Sequence, residues 1–255
     1  MRSKIGLCAL GLMGLFTTTM TQSNLVAQVP VSKQSSARPG NASVFSAVMQ
    51  SGSDARSSAF NRDYLPIIRK IADEKLLNNN RLERYDLFEL ESSKLFLKKR
   101  TAQPIRVYYI AGLAGFKNSL GFAYNLAGAT NPGRPFLIFP DAASSAVYPS
   151  SQVFIREGDF VDIDFGGNGW QLDFFLNPNG AGGWGNSYTW WNTKSKNSDG
   201  MQHVAALAIP NSPYLLMGFE DLPGGGDLDF NDLVFVVDIG FENNDTLIEE
   251  LALPN

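Results

Sequence analysis

From about residue 95 onward, the chain consists of short apolar runs, each bounded by Gly, Pro, Asn or Asp. Short runs that stop at turn-forming residues are typical of β-strands, and many of them in succession favour an all-β domain over βαβ units. The sequence therefore predicts an all-β fold, with a β-sandwich or jelly-roll-like domain over residues 101–240. The predicted strands cover residues 95–99, 105–110, 119–124, 136–139, 152–155, 160–165, 171–176, 203–209, 215–219 and 233–239.

Residues 1–27 have the layout of a secretory signal peptide. Arg2 and Lys4 precede an apolar run over 5–16, and a Thr-rich stretch then leads to the small residues Ser23 and Ala27, after either of which cleavage can occur. The apolar run is shorter than the roughly 20 residues that a membrane span needs, and no later segment is long enough. We therefore expect a secreted or cell-surface protein without a transmembrane segment after cleavage.

The single cysteine, Cys8, lies inside the predicted signal peptide. A chain that begins at Gln28 has no cysteine, which excludes disulfides, a cysteine nucleophile and thiolate zinc sites. It also has 19 basic against 25 acidic residues, a formal net charge of −6. This balance disfavours nucleic acid as a partner.

Before the β domain, residues 28–60 are rich in Ser, Ala, Gly and Gln and predict a flexible linker. Residues 61–100 predict a helical extension, because apolar residues recur at i, i+3, i+4 and i+7 from Tyr64 and indicate an amphipathic helix over 63–77. This helix either packs on its own domain or docks a partner. Residues 241–255 are expected to form a C-terminal tail.

The stretch 218–238 combines turn formers with clustered acids. Pro223 and three following glycines allow a sharp turn that places the acids before it opposite those beyond it. Hard cations such as Ca²⁺ take several carboxylate, amide and carbonyl oxygens, so the stretch predicts a calcium site, with a solvated turn without an ion as the alternative. The predicted ligands are Glu220, Asp221, Asp227, Asp229, Asn231 and Asp232.

The spacing of Asp227, Asp229 and Asn231 matches the opening of an EF-hand loop. The match ends at Asp232, which stands where an EF-hand needs Gly, and a strong β run follows instead of a helix. The sequence therefore predicts a calcium-type turn between two strands.

A Gly/Asn-rich loop over 177–199 carries Trp184, Tyr188, Trp190 and Trp191. Aromatic rings exposed on a β scaffold stack on sugars or anchor protein interfaces, so these four residues are candidate ligand-binding residues. The alternative, weighed equally, is that at least two of the rings belong to the core, since large aromatic residues are mostly buried.

The segment GFEDLPGGGDLDFNDLVFVV (218–237) closely resembles the signature of the DUF4114 family, found in secreted and surface bacterial proteins. The segments IRVYYIAGLAGFKNSLGFAY (105–124) and LIFPDAAS (137–144), and the stretch around Asp199, Gly200 and His203, resemble earlier parts of the same domain. The resemblance covers about residues 103–240. It implies a β-sandwich-like extracellular module with a calcium site and no established enzymatic activity.

Catalysis is not predicted. The only histidine is His203 and no GxSxG elbow is present, so a serine hydrolase lacks its parts, and a lone histidine at a strand start is usually structural. We predict a secreted or cell-surface calcium-binding structural or adhesion module that contacts a surface polysaccharide or protein. The alternative is a carbohydrate- or surface-polymer-binding module that uses the aromatic loop.

Overall fold

The computed structural model describes residues 28–31, 35–78, 82, 96–97, 103–126, 129, 133–148, 155–164, 169–182 and 188–252. The predicted signal peptide, residues 1–27, lies outside the described residues. The strands are β1 (Ser43–Val44), β2 (Phe96–Leu97), β3 (Ile105–Ala111), β4 (Ser119–Leu126), β5 (Pro135–Phe139), β6 (Phe160–Ile163), β7 (Trp170–Asn177), β8 (Trp190–Trp191), β9 (Val204–Ala208), β10 (Tyr214–Phe219) and β11 (Leu233–Asp238).

The strands form two sheets. The six-stranded sheet has the order β1-β5-β4-β7-β2 with β8 also paired to β7, and the five-stranded sheet has the order β6-β3-β11-β10-β9. β1 runs parallel to β5, whereas the other pairings between described strands are antiparallel. The chain is therefore mostly β, as predicted, and the jelly-roll connection stays a prediction.

One hydrophobic core takes side chains from both sheets, which pack against each other in a sandwich-like arrangement. β11 shows how the five-stranded sheet is buried. Leu233, Phe235 and Val237 belong to the core between the sheets, while Val234 and Val236 belong to a second cluster on the opposite face. A strand buried on both faces needs apolar residues throughout, and this explains the uninterrupted apolar run of β11.

A helical segment covers that opposite face. It consists of α1 (Ala55–Ala59), a π-helical turn (Phe60–Tyr64) and α2 (Leu65–Lys75), and therefore begins earlier than the predicted helix over 63–77. Asp54 caps α1, because its carboxylate accepts from the Ser57 N–H and the Ser57 hydroxyl accepts from the Asp54 N–H.

The apolar side of this segment packs on the five-stranded sheet. Phe60, Ile68, Ala72 and Leu76 are fully buried, and the Phe60 ring stacks on Tyr108 with centroids 3.8 Å apart. The helix therefore packs on its own domain, the first of the two predicted alternatives. In the described part of the chain, no helix has the length and apolar character to cross a bilayer.

The segments on either side of the predicted domain differ from the predictions. Within 28–60, predicted as a flexible linker, β1 pairs with β5, Met49 bridges to Phe160, and Val48 is buried in the core. Residues 241–255, predicted as a tail, contain helix α3 (Phe241–Ala252), which buries Leu247. Isolated apolar residues that each contact a preformed sheet leave no periodicity in the sequence, so these contacts were missed.

An ion-pair network joins the helical segment to the sheet. Arg106 on β3 is 3% exposed and makes paired contacts of 2.7–2.9 Å with the carboxylates of Asp54 and Asp162. The Gln28 amide donates to the same two carboxylates. The buried guanidinium is therefore matched by acids on two separate elements.

Candidate metal centre

The acidic turn connects β10 and β11, two neighbouring strands in the interior of the five-stranded sheet. A short 3-10 turn, Pro223–Gly225, begins the connection. Gly224, Gly225 and Gly226 have φ values of 78°, 81° and 53°, a backbone conformation that glycine adopts without a Cβ clash. The turn therefore depends on its glycines.

Three carboxylates converge in this turn. One oxygen from each of Glu220, Asp227 and Asp229 lies within 4.8 Å of the others. Glu220 and Asp229 are 1% and 4% exposed, whereas Asp227 is exposed. Carboxylates this close repel one another unless they are protonated or share a cation. This set, hereafter the carboxylate triad, is close enough together to hold a metal ion, and its exposed member is Asp227.

The Glu220 carboxylate is held by backbone donors from the far side of the turn. Its Oε1 accepts hydrogen bonds from the N–H groups of Asp229 and Phe230, both at 2.8 Å. Its Oε2 lies against Gly226, where a Cβ would stand 2.3 Å from that oxygen. Glycine at 226 therefore leaves the space that the carboxylate occupies.

The backbone beyond Gly226 is strained. Leu228 and Phe230 have φ values of 64° and 57°, in the left-handed region that side chains other than glycine rarely adopt. Each such residue costs about 1–2 kcal/mol, and strain of this kind clusters at functional sites. The strained residues alternate with Asp227, Asp229 and Asn231, the acid-and-amide side of the turn.

Burial and mutual repulsion raise the pKa values of the buried acids in the turn. Burial, with added repulsion from Asp232, Asp227 and Asp229, raises the pKa of Glu220 to about 9. Burial likewise raises the pKa of Asp229, with Asp227 adding to it. Without a cation, the folded turn therefore favours a protonated Glu220 at neutral pH, and a bound cation would remove that cost.

Asp221 and Asp232 form a second acidic pair beside the triad. Asp232 Oδ2 accepts from the Asp221 N–H at 2.7 Å, and Asp221 Oδ2 accepts from Asn118 Nδ2 at 2.8 Å. Burial followed by repulsion from Asp221 raises the pKa of Asp232 to about 7, and burial also raises the pKa of Asp221. Asn118 lies beyond β3, far away in the sequence, and was not predicted as part of the site.

Asn231 supports the triad from within the turn. Its Nδ2 donates to Asp229 Oδ2 at 2.5 Å and its backbone N–H donates to Asp229 Oδ1 at 3.2 Å. The predicted six ligands therefore divide into three triad members, a second pair, and an amide that fixes one triad carboxylate.

A second segment, residues 199–203, contacts the backbone of the turn. Asp199 Oδ2 accepts from the Gly224 N–H at 2.8 Å and lies 2.9 Å from His203 Nε2. His203 Nδ1 lies 3.1 Å from the Glu220 carbonyl oxygen. The His203 ring stacks on Trp190, with centroids 3.9 Å apart and planes 3° apart.

Residues 155–240 match a family model described as a domain of unknown function, DUF4114. This part of the chain is a DUF4114 domain. The match spans β6 to β11 and includes the complete acidic turn, whereas the resembling segments 105–124 and 137–144 lie before it. β3 separates β6 from β11 in the five-stranded sheet, so the folded unit extends beyond the matched residues. No curated protein and no solved structure matches the chain.

The three described members of the predicted aromatic set in the DUF4114 domain do not form one binding face. Trp190 is 1% exposed, and its indole N–H donates to the Asp221 carbonyl oxygen at 2.8 Å, so the prediction that it binds a ligand is wrong. Trp191 packs on Phe175 beside the outer face of the six-stranded sheet, and Tyr188 is half-buried against Trp190. Trp184 lies outside the described residues.

Proposed function

We propose that the carboxylate triad binds Ca²⁺ and that the chain is a secreted or cell-surface structural or adhesion module whose fold the ion stabilises. The convergence of Glu220, Asp227 and Asp229, two of them buried, carries the proposal. The role we propose is non-enzymatic, in keeping with a single histidine, His203, and no GxSxG elbow in the sequence.

The donor set favours calcium over other metals. All three triad ligands are carboxylate oxygens, which suit hard cations, and the histidine and thiolate ligands of zinc or copper are absent from the triad. Ca²⁺ accepts 6–8 oxygens in irregular geometry, whereas Mg²⁺ requires a near-ideal octahedron. The exposed side at Asp227 admits the ion together with the waters that complete its shell.

An extracellular setting is consistent with a site of modest affinity. Extracellular calcium sites work with dissociation constants of about 10⁻⁴ to 10⁻³ M. A ligand at about 100 times its dissociation constant stabilises a folded protein by about 2.7 kcal/mol. For a domain of this size, each kcal/mol raises the melting temperature by about 2–4 °C, so saturating calcium would raise it by several degrees.

Thermal melts test this proposal. The chain is melted in EDTA and in increasing Ca²⁺, alongside the variants Asp227→Ala and Asp229→Ala, with Asp245→Asn on the exposed side of α3 as the matched control. We expect a calcium-dependent rise of about 5–10 °C in the wild-type chain and in the control, and its loss in both triad variants. Equal melting temperatures with and without calcium would refute the proposal.

A further inference from the structure

We propose that Asp199 and His203 position the turn for calcium binding without contacting the ion. The inference rests on the proposed calcium function and adds two residues outside the acidic turn to its site. Neither residue belongs to the carboxylate triad, and their contacts to the turn go to its backbone.

Asp199 joins the 199–203 segment to the start of the turn. One carboxylate oxygen, Oδ2, serves both the Gly224 N–H and the His203 ring. The other oxygen, Oδ1, accepts from the Met201 N–H at 2.9 Å, which fixes the carboxylate against its own loop. A charged acceptor bound by three donors is rigid, so Gly224 has a fixed partner at the position where the chain reverses.

His203 and Trp190 extend the same support to the residues that precede the turn. The His203 backbone carbonyl accepts from the Glu220 N–H at 3.0 Å, and Nδ1 of its ring faces the Glu220 carbonyl. The Trp190 ring stacks on the His203 ring and donates to the Asp221 carbonyl.

Preorganisation explains why these contacts would affect affinity. The turn contains strained residues at 228 and 230 and adjacent glycines, so an unsupported chain would sample other conformations. Ligands held in place lose less entropy on binding, and groups that hold metal ligands from outside commonly change metal affinity by 10–100-fold. Asp199 is the member to test, because its side chain is 20% exposed and its removal leaves no cavity in the core.

The experiment measures calcium affinity by isothermal titration calorimetry at 25 °C, on variants whose folding at that temperature is checked by circular dichroism, and compares it with melting in EDTA. We expect Asp199→Ala to bind calcium at least about tenfold more weakly than wild type. Asp199→Asn retains one oxygen that accepts from Gly224, so we expect a smaller loss. Asp245→Asn is the control and should bind like wild type.

The outcomes separate this inference from the proposed function. If wild type binds calcium and Asp199→Ala binds it equally well, the positioning role is refuted while the calcium site stands, even if the variant melts earlier in EDTA. Earlier melting in EDTA together with unchanged calcium affinity would show a purely structural role for Asp199. If wild type shows no calcium binding, both proposals fail together.

Discussion

Replacing Glu220 with glutamine should stabilise the chain in the absence of calcium and abolish the stability that calcium adds. The pKa of Glu220 is raised from 4.5 to about 9, first by burial and then by neighbouring carboxylates. At pH 7 the folded chain without a cation must therefore hold a proton that the unfolded chain has released. Each pH unit above the unfolded-state pKa costs about 1.4 kcal/mol, which gives a cost on the order of 3 kcal/mol at pH 7.

Glutamine removes this cost while it keeps the shape. Its Oε1 still accepts from the N–H groups of Asp229 and Phe230, and its Nε2 donates towards the remaining carboxylates of the triad. In EDTA at pH 7, we expect Glu220→Gln to melt about 5–10 °C above wild type. In saturating Ca²⁺ the wild-type chain should gain stability and the variant should not, because it has lost one anionic ligand.

The pH dependence has a defined sign. A carboxyl whose pKa is raised by folding contributes its full stability below the unfolded-state pKa, and that stability is lost as the pH rises towards the folded-state value. In EDTA, the difference between the variant and wild type should therefore be small near pH 4 and should grow up to about pH 9.

Melts by circular dichroism at pH 4, 7 and 8.5 measure this difference, with the exposed Glu249→Gln as the matched control. A variant that melts at or below wild type in EDTA at pH 7 would refute the reasoning, because burial and repulsion at Glu220 would then not destabilise the fold.

Three further predictions concern the turn, the ion-pair network and the helix. Gly226→Ala should lower the calcium-dependent gain in melting temperature, since its Cβ would stand 2.3 Å from Glu220 Oε2 at a φ of 53°. Burial alone would raise the pKa of Asp54, but hydrogen bonds, led by the one from Arg106, outweigh burial and hold the pKa below its usual value. Asp54→Asn should therefore cost about 1–3 kcal/mol of unfolding free energy at pH 7, measured by urea unfolding. The cost should become progressively smaller as the pH falls below 4. Phe60→Ala should cost about 3–5 kcal/mol in the same assay, because it opens a cavity between the helix and the sheet.

The sequence predicts well those elements whose burial is regular. β3, β10 and β11 are long apolar runs between turn formers, and their predicted and observed bounds differ by one residue at most. β1 and β8 have only two residues each, too few to show a period. The predicted helix over 63–77 starts too late, because Pro66 is typical of the first turn of a helix. In the structure a π-helical turn, Phe60–Tyr64, precedes α2 and already interrupts the regular hydrogen bonds of the helix, so Pro66 is tolerated inside a longer helical segment.

The candidate site was predictable only where it is local. The acids around the glycine turn were evident from their spacing, yet the sequence could not separate the triad from the Asp221 and Asp232 pair, since that depends on the path of the strained backbone. Asn118 contacts the site across 103 residues of sequence, and no local pattern could indicate it. Trp190 was misassigned because a Trp-rich loop has the same composition whether its rings face solvent or the core.

The position of the turn would let a single ion act on the whole fold. β10 and β11 are interior strands, and the sheet they share is buried on both faces. An ion that joins Glu220, directly after β10, to Asp229, four residues before β11, would close the hairpin at the centre of this sheet. Loss of the ion would therefore destabilise the core rather than free a loop, and we expect one cooperative melting transition that moves as a unit with calcium concentration. A separate low-temperature transition confined to the turn, detected by hydrogen exchange at residues 222–232, would show instead that the turn opens independently of the sheet.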